Sequence, residues 1–371
     1  MQDLATRDTP FLALDLERFT RNCARMRTRA EKLGVTLRPH LKTVKSVPAA
    51  RVILGQMTAP ATVSTLLEAE AFADAGATDL IYAVGIAPAK LARVAALRAR
   101  GVDIAVILDS VAQAEAVAAC PAPIPALIEI DVDGARAGLV PDAPEIARIG
   151  RILHDGAALR GVLAHGGASY TCFDVESMQA MAERERAGAV AAAEALRDAG
   201  LPCPVVSVGS TPTAWFGTDL SGVTELRAGV YTLSDLMMSG LGVGTVDDIA
   251  ASVVATVIGH QPARGWIVTD AGFMALSKDH GTASMPVDQG YGLVADMNGA
   301  PFGDLIVRAT SQEHGILAMR PGSAAPLPDL PIGSRVRIYP NHACATVAMH
   351  PGFAVTTGGT ITEDWPILHG W

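Results

Sequence analysis

Short apolar runs rich in β-branched residues alternate with longer, alanine-rich stretches of helical periodicity over the first two thirds of the chain. Eight of these runs are predicted strands: "LRPHL", "ATVST", "DLIYAV", "DIAVILD", "ALIEIDV", "LRGVLAHG", "VVSVGS" and "ELRAGVY". The stretches "LLEAEAFADAGA" and "ESMQAMAERERAGAVAAAEALRDAG" are predicted helices, and Gly200 is the expected C-terminal cap of the second. Regular alternation of strand and helix predicts a parallel sheet.

The number of these units and the placement of polar residues favour a closed barrel over an open sheet. No G-x-G-x-x-G motif opens the first unit, as it would in a dinucleotide-binding sheet. Polar residues recur at the carboxyl ends of many strands: Lys42, Ser64, Asp109, Arg136, His165, Ser210 and Arg227. Barrels spread their chemistry around a rim in this way. We therefore predict an α/β fold with a TIM-like (β/α)8 barrel over residues 17–243.

The pattern changes after residue 243. The runs "ASVVATVIGH", "GWIVTDAG" and "SRVRIYP" are separated by turn-forming residues, with no long helix between them. This pattern predicts an antiparallel β domain over residues 244–371. The early strand candidate "PFLALDL" precedes the eight barrel strands, and we expect residues 1–16 to complete the β domain.

Composition excludes several classes of partner. The chain has 371 residues, of which 50% are hydrophobic, and a net charge of −9 without a basic run, so we expect no nucleic-acid partner. Its longest apolar passages, such as "AVAACPAPIPALIEI", are broken by prolines, so we expect no membrane partner. The N-terminus lacks an apolar export signal, and the five cysteines lack C-x-x-C spacing. A soluble, cytoplasmic protein is expected.

The stretch "LRPHLKTVKS" carries a lysine where the first barrel strand ends. At a barrel rim, Lys42 would be shielded from bulk water, and burial favours the neutral amine. A neutral amine attacks an aldehyde, which is the requirement for a Schiff base with pyridoxal phosphate. The alternative is that Lys42 and Lys45 are solvent-exposed loop lysines, and on these ten residues alone that alternative is the stronger one.

A phosphate group needs backbone N–H donors, which a Gly/Ser/Thr turn at the start of a helix provides. The passage "VVSVGSTPTA" supplies such a turn after the seventh strand, where barrels commonly bind phosphate. The candidate residues are Gly209, Ser210 and Thr211, completed by Gly229 and Val230 of "RAGVY". The alternative is an ordinary Ser/Thr cap in front of Pro212.

Three further residues lie where they would face a bound ring. Arg136 follows "ALIEIDV", and its permanent charge suits the phenolate oxygen of a pyridoxal ring. The alternative is that it pairs with Asp131 and Asp133. His165 in "LAHGGASY" would stack on a flat ring, or be a core histidine satisfied by backbone. Tyr170 would reach a ring nitrogen.

The passage "YPNHACATV" places His342 and Cys344 two positions apart. If this passage is a strand, both side chains project from the same face. Imidazole and thiolate form a soft pair that suits Zn²⁺, and two protein ligands leave positions for water or substrate. An isolated H-x-C is also compatible with a purely structural pair.

Together, these passages resemble those of a known enzyme group. "TPFLALDLERFTRN", "RPHLKTVKS", "VSTLLEAEAF", "EIDVDGARAG", "VGSTPT", "RAGVY", "QEHGIL" and "PNHACATV" resemble, in order and over essentially the whole chain, the fold-type III pyridoxal phosphate enzymes of the D-serine dehydratase and D-threonine aldolase group. Within this group, "VVSVGSTPTA", "VIGHQ", "QEHGILA" and the closing "LHGW" are most similar to bacterial dehydratases of D-threo-3-hydroxyaspartate. Val44 stands where the dehydratases often have a second histidine.

The resemblance implies an alanine-racemase-like barrel that binds pyridoxal 5'-phosphate through Lys42, with Arg136 near the ring oxygen. It places a divalent metal, most often Zn²⁺ but also Mn²⁺, Co²⁺ or Mg²⁺, on His342 and Cys344, and it suggests a homodimer. The full set of implied cofactor-binding residues is His40, Lys42, Arg136, His165, Tyr170, Gly209, Ser210, Thr211, Arg227, Gly229, Val230 and Tyr231. Whether Arg227 or Tyr170 faces the pyridine nitrogen is left open.

The implied reaction is dehydration of a D-3-hydroxyamino acid to a 2-oxo acid and ammonia, with Lys42, His342 and Cys344 as catalytic residues. The dehydratases have H-x-C at the metal pair, whereas the aldolases tend to have H-x-D, so Cys344 favours dehydration. The substrate is expected to be D-threo-3-hydroxyaspartate or D-serine, and Lys278 or Arg136 would meet a second carboxylate. The alternatives are an aldolase that produces glycine, a non-catalytic pyridoxal phosphate carrier, and a racemase or decarboxylase.

Overall fold

The structure is a computed structural model that describes residues 2–4 and 6–371. The strands are β1 (Gln2–Asp3), β2 (Phe11–Asp15), β3 (Thr36–Pro39), β4 (Ala61–Val63), β5 (Asp79–Gly85), β6 (Asp103–Leu108), β7 (Ala126–Ile130), β8 (Leu159–Ala164), β9 (Val205–Val208), β10 (Glu225–Ala228), β11 (Ala251–Gln261), β12 (Trp266–Thr269), β13 (Leu293–Ala295), β14 (Pro301–Thr310), β15 (Gly315–Met319), β16 (Arg335–Tyr339), β17 (Gly352–Thr357) and β18 (Thr360–Pro366). The α-helices are α1 (Leu16–Lys32), α2 (Val47–Leu54), α3 (Leu66–Asp74), α4 (Leu91–Ala99), α5 (Val111–Ala118), α6 (Glu145–Asp155), α7 (Val175–Asp198), α8 (Thr211–Phe216), α9 (Leu236–Gly240), α10 (Phe273–Leu276) and α11 (Ala343–Val347).

The first unit is a barrel of parallel strands. Its strand order is β3-β10-β9-β8-β7-β6-β5-β4, and each neighbouring pair is parallel. A single parallel bridge between His40 and Thr62 joins the end of β3 to β4, so the sheet nearly closes on itself. The eight predicted strands and the predicted (β/α)8 barrel are therefore confirmed.

The interior of the barrel has an apolar part and a polar part. Leu127, Leu163 and their neighbours Ile81, Ala105 and Ile107 form a buried apolar cluster on β5–β8. On the strands that complete the ring, the buried side chains include four charged or polar ones: Arg38, Ser207, Glu225 and Arg227. Burial of charged groups is unfavourable unless they are paired, and Arg38 binds Glu225 at 2.7 Å.

Several βα turns of the barrel are fixed by side-chain caps. The N-cap residues Thr65, Ser110 and Ser210 each accept a hydrogen bond from the backbone N–H three residues later. Each such cap contributes about 1 kcal/mol to helix stability. The long helix α7 ends at Asp198, and Gly200 follows it with φ +75° as the predicted cap. The N–H of Leu201 donates to the carbonyl of Leu196, as such a cap requires.

The second unit is a β domain built on one sheet. Its order is β1-β18-β17-β2-β11-β12-β15-β14-β13-β16, with β11 also paired to β16. All of its pairs are antiparallel except β17 and β2. Strand β2, from the predicted run "PFLALDL", lies between β17 and β11. The predicted antiparallel β domain is confirmed, and strand β2 of the N-terminal segment belongs to its sheet.

The chain passes from one compact unit to the other at residues 23/24, 229/230 and 369/370. One comprises the chain up to Cys23 with Val230–His369, and the other comprises Ala24–Gly229 with Gly370–Trp371. The predicted borders, 16/17 and 243/244, differ because the start of α1 and the segment after β10 bind the β domain. Asn22 donates to the carbonyl of Asp248 at 2.7 Å, and Leu236 packs against Leu293 and Tyr339. In the described part of the chain, no helix has the length and apolarity needed to cross a membrane.

Candidate active site

Lys42 lies in a 3₁₀ turn, Leu41–Thr43, directly after the first barrel strand. His40 caps this turn by accepting a hydrogen bond from the backbone N–H of Lys42 at 3.4 Å. The flanking Leu41 and Thr43 are buried, whereas the Lys42 side chain is exposed. The prediction that Lys42 is shielded from water is therefore wrong for this structure, in which its side chain is exposed.

Lys42 is nevertheless close to two histidines of the barrel rim. Burial lowers the pKa of His165 to about 4, the hydrogen bond to Gly209 opposes this, and the charges of Lys42, Arg227 and Arg136 lower it further. Burial also holds the pKa of His40 well below its usual range, again with help from Lys42 and Arg227. Residues that the sequence analysis selected from five separate strand ends are thus brought together.

His165 has a defined tautomer. Its Nδ1 lies 2.9 Å from the carbonyl oxygen of Gly209, and a carbonyl only accepts hydrogen bonds. Because the lowered pKa makes the ring neutral at pH 7, Nδ1 carries the single proton and Nε2 is an acceptor. The alternative prediction, a core histidine whose nitrogens are hydrogen-bonded to backbone, therefore holds for Nδ1 of His165.

The turn at residues 209–211 is held by hydrogen bonds within the barrel. Ser210 is the N-cap of α8, which agrees with the predicted alternative of an ordinary Ser/Thr cap. The N–H of Ser210 donates to the Thr213 hydroxyl at 2.9 Å. The N–H of Gly209 donates to Glu185 at 3.0 Å. Gly209 has φ +136°, and a Cβ there would lie 2.0 Å from the carbonyl oxygen of Arg227, so only glycine fits. Thr211 is buried at the first position of the helix.

The other predicted cradle follows β10. Gly229 is packed so tightly that a Cβ would lie 3.0 Å from both the carbonyl oxygen of His40 and the hydroxyl of Thr43. Val230 and Tyr231 are buried in the 3₁₀ turn Val230–Thr232 that follows. The requirement for glycine here is therefore a close approach of two backbone segments at the start of the Lys42 turn.

Arg136 borders a cavity at the rim. The cavity has a volume of about 270 Å³, and the residues around it include Glu129, Asp131, Asp133, Arg136, His165 and Gly167. The Arg136 side chain is 62% exposed and pairs with Glu129 at 3.3 Å. Asp131 and Asp133 accept backbone N–H groups instead, so the pairing of Arg136 with these aspartates is not observed. Tyr170 is half-buried in the turn Gly167–Thr171, whose first residue borders the cavity.

Arg227 is buried below this rim. Its guanidinium donates to the Ser207 hydroxyl and to the carbonyl of Ala164, both at 2.6 Å. Burial lowers its pKa to about 10, while Glu225, Glu185 and Glu129 raise it. Arg227 therefore remains a cation at neutral pH. The sequence analysis did not identify Glu185 and Glu225, because their partners are distant in the sequence.

In the β domain, His342 and Cys344 lie on a helix rather than a strand. Strand β16 ends at Tyr339, and Pro340, which has no N–H to donate, follows it. His342 is the N-cap of α11 and Cys344 lies in its first turn. The expected strand placement is wrong, yet the two side chains are still hydrogen-bonded neighbours because the turn is tight.

Two aspartates that the sequence analysis missed support this pair. Asp279 Oδ2 lies 2.6 Å from Nδ1 of His342, and Asp235 accepts the N–H of Ala343 at 2.9 Å. Burial would lower the pKa of His342, but the bonds to Asp279 and Cys344 outweigh it and raise the pKa to about 11. Within residues 2–4 and 6–371, no cluster of three or more histidine, cysteine or acidic side chains is arranged around one metal position.

Two family models match the chain. The alanine racemase N-terminal domain matches residues 14–235, and the putative serine dehydratase domain matches residues 250–356. The barrel and the β domain thus define a protein of the alanine racemase-like class. The chain belongs to the branch of this family that contains the D-serine dehydratases and D-threo-3-hydroxyaspartate dehydratase. The resemblance noted in the sequence is confirmed.

Relatives cover the whole chain. The D-threo-3-hydroxyaspartate dehydratase of Delftia sp. (strain HT23) is 51% identical over 380 residues, covering 100% of both chains. The D-serine dehydratase of Schizosaccharomyces pombe is 30% identical over 98% of this chain and 92% of its own. The solved Delftia enzyme has 50% identity, full coverage of both chains and a TM-score of 0.96. A cysteine-to-alanine mutant of D-threo-3-hydroxyaspartate dehydratase, solved in the metal-free form, is 49% identical, with full coverage and a TM-score of 0.96.

Proposed function

We propose that this chain dehydrates a D-3-hydroxyamino acid, with D-threo-3-hydroxyaspartate first and D-serine second as substrate, to a 2-oxo acid and ammonia. The observation that carries the proposal is the full-length similarity to D-threo-3-hydroxyaspartate dehydratase, which exceeds the 29% identity to the D-threonine aldolase of Arthrobacter sp.. The presence of cysteine rather than aspartate two positions after His342 supports the same choice.

The barrel rim suits pyridoxal phosphate. Lys42 presents an accessible amine, His165 a neutral ring, and Arg136 a cation beside the 270 Å³ cavity. We expect Lys42 to hold the aldehyde carbon and Arg136 the ring oxygen. We expect the phosphate to be held by the segments 209–211 and 229–231, and the pyridine nitrogen by Arg227 or Tyr170. Pyridoxal phosphate, when bound, supplies an electron sink for the electron pair left at Cα when its proton is removed.

The residues of the chain move the protons in this proposal. The Lys42 amine, exposed in the short turn Leu41–Thr43, would remove the proton from Cα of the substrate after the substrate amine has replaced it on the aldehyde carbon. The His165 ring is neutral because burial lowers its pKa to about 4, so it would lie against the cofactor without adding a charge, with its Nδ1–H bonded to Gly209. The buried Arg227 cation adds positive potential to the rim without changing its protonation state near neutral pH.

The β domain residues suit a divalent metal. Asp279 orients the imidazole of His342 as carboxylates orient metal-binding histidines, and the Cys344 sulfur lies beside it. A nitrogen and sulfur pair favours Zn²⁺, with Mn²⁺, Co²⁺ or Mg²⁺ as alternatives. In the related dehydratase, the histidine and the cysteine that were replaced by alanine lie two positions apart, as His342 and Cys344 do. The metal, when bound, supplies a Lewis acid for departure of the β-hydroxyl.

An assay of products against substrates tests the proposal. Purified protein with bound cofactor and Zn²⁺ is incubated with 3-hydroxy-D-aspartate, D-serine and D-threonine, and ammonia, 2-oxo acids and glycine are quantified. We expect ammonia and 2-oxo acid in equal amounts. Glycine without ammonia would identify an aldolase, and a bound yellow chromophore without turnover would identify a carrier. We also propose that the active form is a cytoplasmic homodimer, which sedimentation and cell fractionation test.

A further inference from the structure

A carboxylate occupies an apolar position of helix α7. The buried face of this helix carries methionine, alanine and leucine at helical spacing, including Met178, Ala182, Ala189 and Leu196. Glu185 lies on the same face and is only 2% exposed. A buried carboxylate is unfavourable unless hydrogen bonds compensate it, so its partners indicate why it is there.

Glu185 binds two different turns of the barrel rim with one oxygen. Its Oε1 accepts the N–H of Gly166 at 2.6 Å and the N–H of Gly209 at 3.0 Å. A hydrogen bond with the Thr213 side chain adds a third contact. Gly166 follows β8 and Gly209 follows β9, so this carboxylate joins the ends of neighbouring strands.

His165 lies between these two contacts. Gly166 is its neighbour in the chain, and Gly209 provides the carbonyl that its Nδ1 binds at 2.9 Å. Both the backbone that carries the imidazole and the acceptor that fixes its tautomer are thus held by the same side chain. Loss of either contact frees the ring to rotate or to exchange its proton between the two nitrogens.

We propose that Glu185 is a positioning residue for His165, which keeps the imidazole in its Nδ1–H tautomer and orientation beside the rim cavity. The inference rests on the proposed function in one respect, because the ring is expected to face pyridoxal phosphate there. Glu185 itself acts through the two glycine N–H groups and needs no contact with the cofactor.

Two conservative variants distinguish the effect of where the Glu185 oxygen lies from the effect of its ionisable carboxyl group. In Glu185→Gln, the amide oxygen still accepts both N–H groups, but the side chain cannot ionise. In Glu185→Asp, an ionisable carboxyl group remains, but the side chain is one methylene shorter and is not expected to reach both turns. Glu183→Ala, on the exposed face of the same helix, is the control for changes in α7.

The first readout is the tautomer of His165 in protein freed of cofactor. Nitrogen-15 spectra of histidine-labelled protein report the tautomer, and the signal absent from His165→Gln identifies the residue. We expect Glu185→Gln and Glu183→Ala to keep the Nδ1–H tautomer, and Glu185→Asp to show a mixture. An unchanged His165 signal in Glu185→Asp, or the mixture in Glu185→Gln, would overturn the proposal.

The second readout is retention of pyridoxal phosphate on dialysis, followed by absorbance. We expect the cofactor to dissociate at least tenfold more readily from Glu185→Asp, and within threefold of the parent from Glu185→Gln. The reverse order of the two variants would show that charge, not position, is what Glu185 provides. Failure of the parent protein to bind the cofactor would contradict the proposed function, while the tautomer measurement would still decide the role of Glu185.

Discussion

Asp279 holds the imidazole of His342 through a 2.6 Å contact between Oδ2 and Nδ1. This leaves Nε2 as the nitrogen that a metal would use. Removal of a carboxylate from the outer side of a metal-binding histidine costs 10–100-fold in metal affinity. We therefore expect Asp279→Asn to bind Zn²⁺ about 10–100-fold more weakly, as measured by competition with a chromophoric chelator. Asp364→Asn, on an exposed strand, is the control and should leave the affinity unchanged.

Replacement of Cys344 should separate the two cofactors. Cys344→Ala removes the sulfur beside His342, so we expect metal content and ammonia formation to fall, while the absorbance of bound pyridoxal phosphate stays. Elemental analysis and a visible spectrum of the same sample measure both. Cys120→Ala, a half-buried cysteine of the barrel unit, should change neither. Full activity of Cys344→Ala after treatment with chelator would remove the metal from the proposal.

Replacement of Lys42 should abolish the chromophore. The proposed covalent link to the cofactor needs the Lys42 amine, so Lys42→Ala should lose the visible absorbance and resist labelling by borohydride reduction. Lys45→Ala removes a neighbouring lysine that pairs with Glu68 at 3.4 Å, and it should retain both signals. Peptide mapping of the reduced parent protein should find the modified lysine at position 42, and a label elsewhere would refute the assignment.

Gly209 can be tested by adding a single methyl group. In Gly209→Ala the Cβ would overlap the carbonyl of Arg227, and the residue would be strained at φ +136°. Gly34→Ala is the matched control, because Gly34 has φ +70° but nothing lies within 4 Å of its Cβ position. We expect a loss of about 1–2 kcal/mol in the free energy of unfolding for the control. Gly209→Ala should lose more, since backbone must move, and urea unfolding of cofactor-free protein measures both.

The buried rim histidines predict a pH dependence of stability. The pKa of His165 is about 4 in the folded chain, below the value of about 6.5 expected when unfolded. The unfolded chain therefore binds more protons between these values, so stability is highest above pH 6.5 and falls as the pH drops toward 4. Urea unfolding of cofactor-free His165→Gln should show a smaller fall across this window. The same change at the exposed His154 should leave the slope as it is.

The sequence predicted the architecture because the fold is periodic. Alternation of β-branched runs and alanine-rich helices predicted the positions of all eight barrel strands. Clusters of turn-forming residues marked the limits of the β domain strands that were predicted. The passage around His342 was misassigned because H-x-C is compatible with both periodicities, and only Pro340 signals that the strand has ended. The sequence left open whether Lys42 is exposed, because a three-residue turn has no periodicity that indicates which side chain faces water.

The predicted rim residues came together because parallel strands bring their carboxyl ends to one edge. The carboxylates that support these residues could not be predicted from the sequence, because each contacts a residue that is distant in the chain. Asp279 is 63 positions from His342, and Asp235 is 108 positions from Ala343. Glu185 left one trace, an acidic residue on the otherwise apolar face of α7. A charged residue at a position that periodicity assigns to the core is therefore the signal that could have found it.

Strand β2 lies in the middle of the β domain sheet although it precedes all eight barrel strands in the chain. Its partners, β11 and β17, begin at residues 251 and 352. At 5–20 residues per second, a nascent chain would carry this strand unpaired for on the order of tens of seconds while the barrel is being made. An apolar edge exposed for that long is a target for chaperones and for aggregation, so expression yield should depend on translation speed and on what is fused ahead of Phe11.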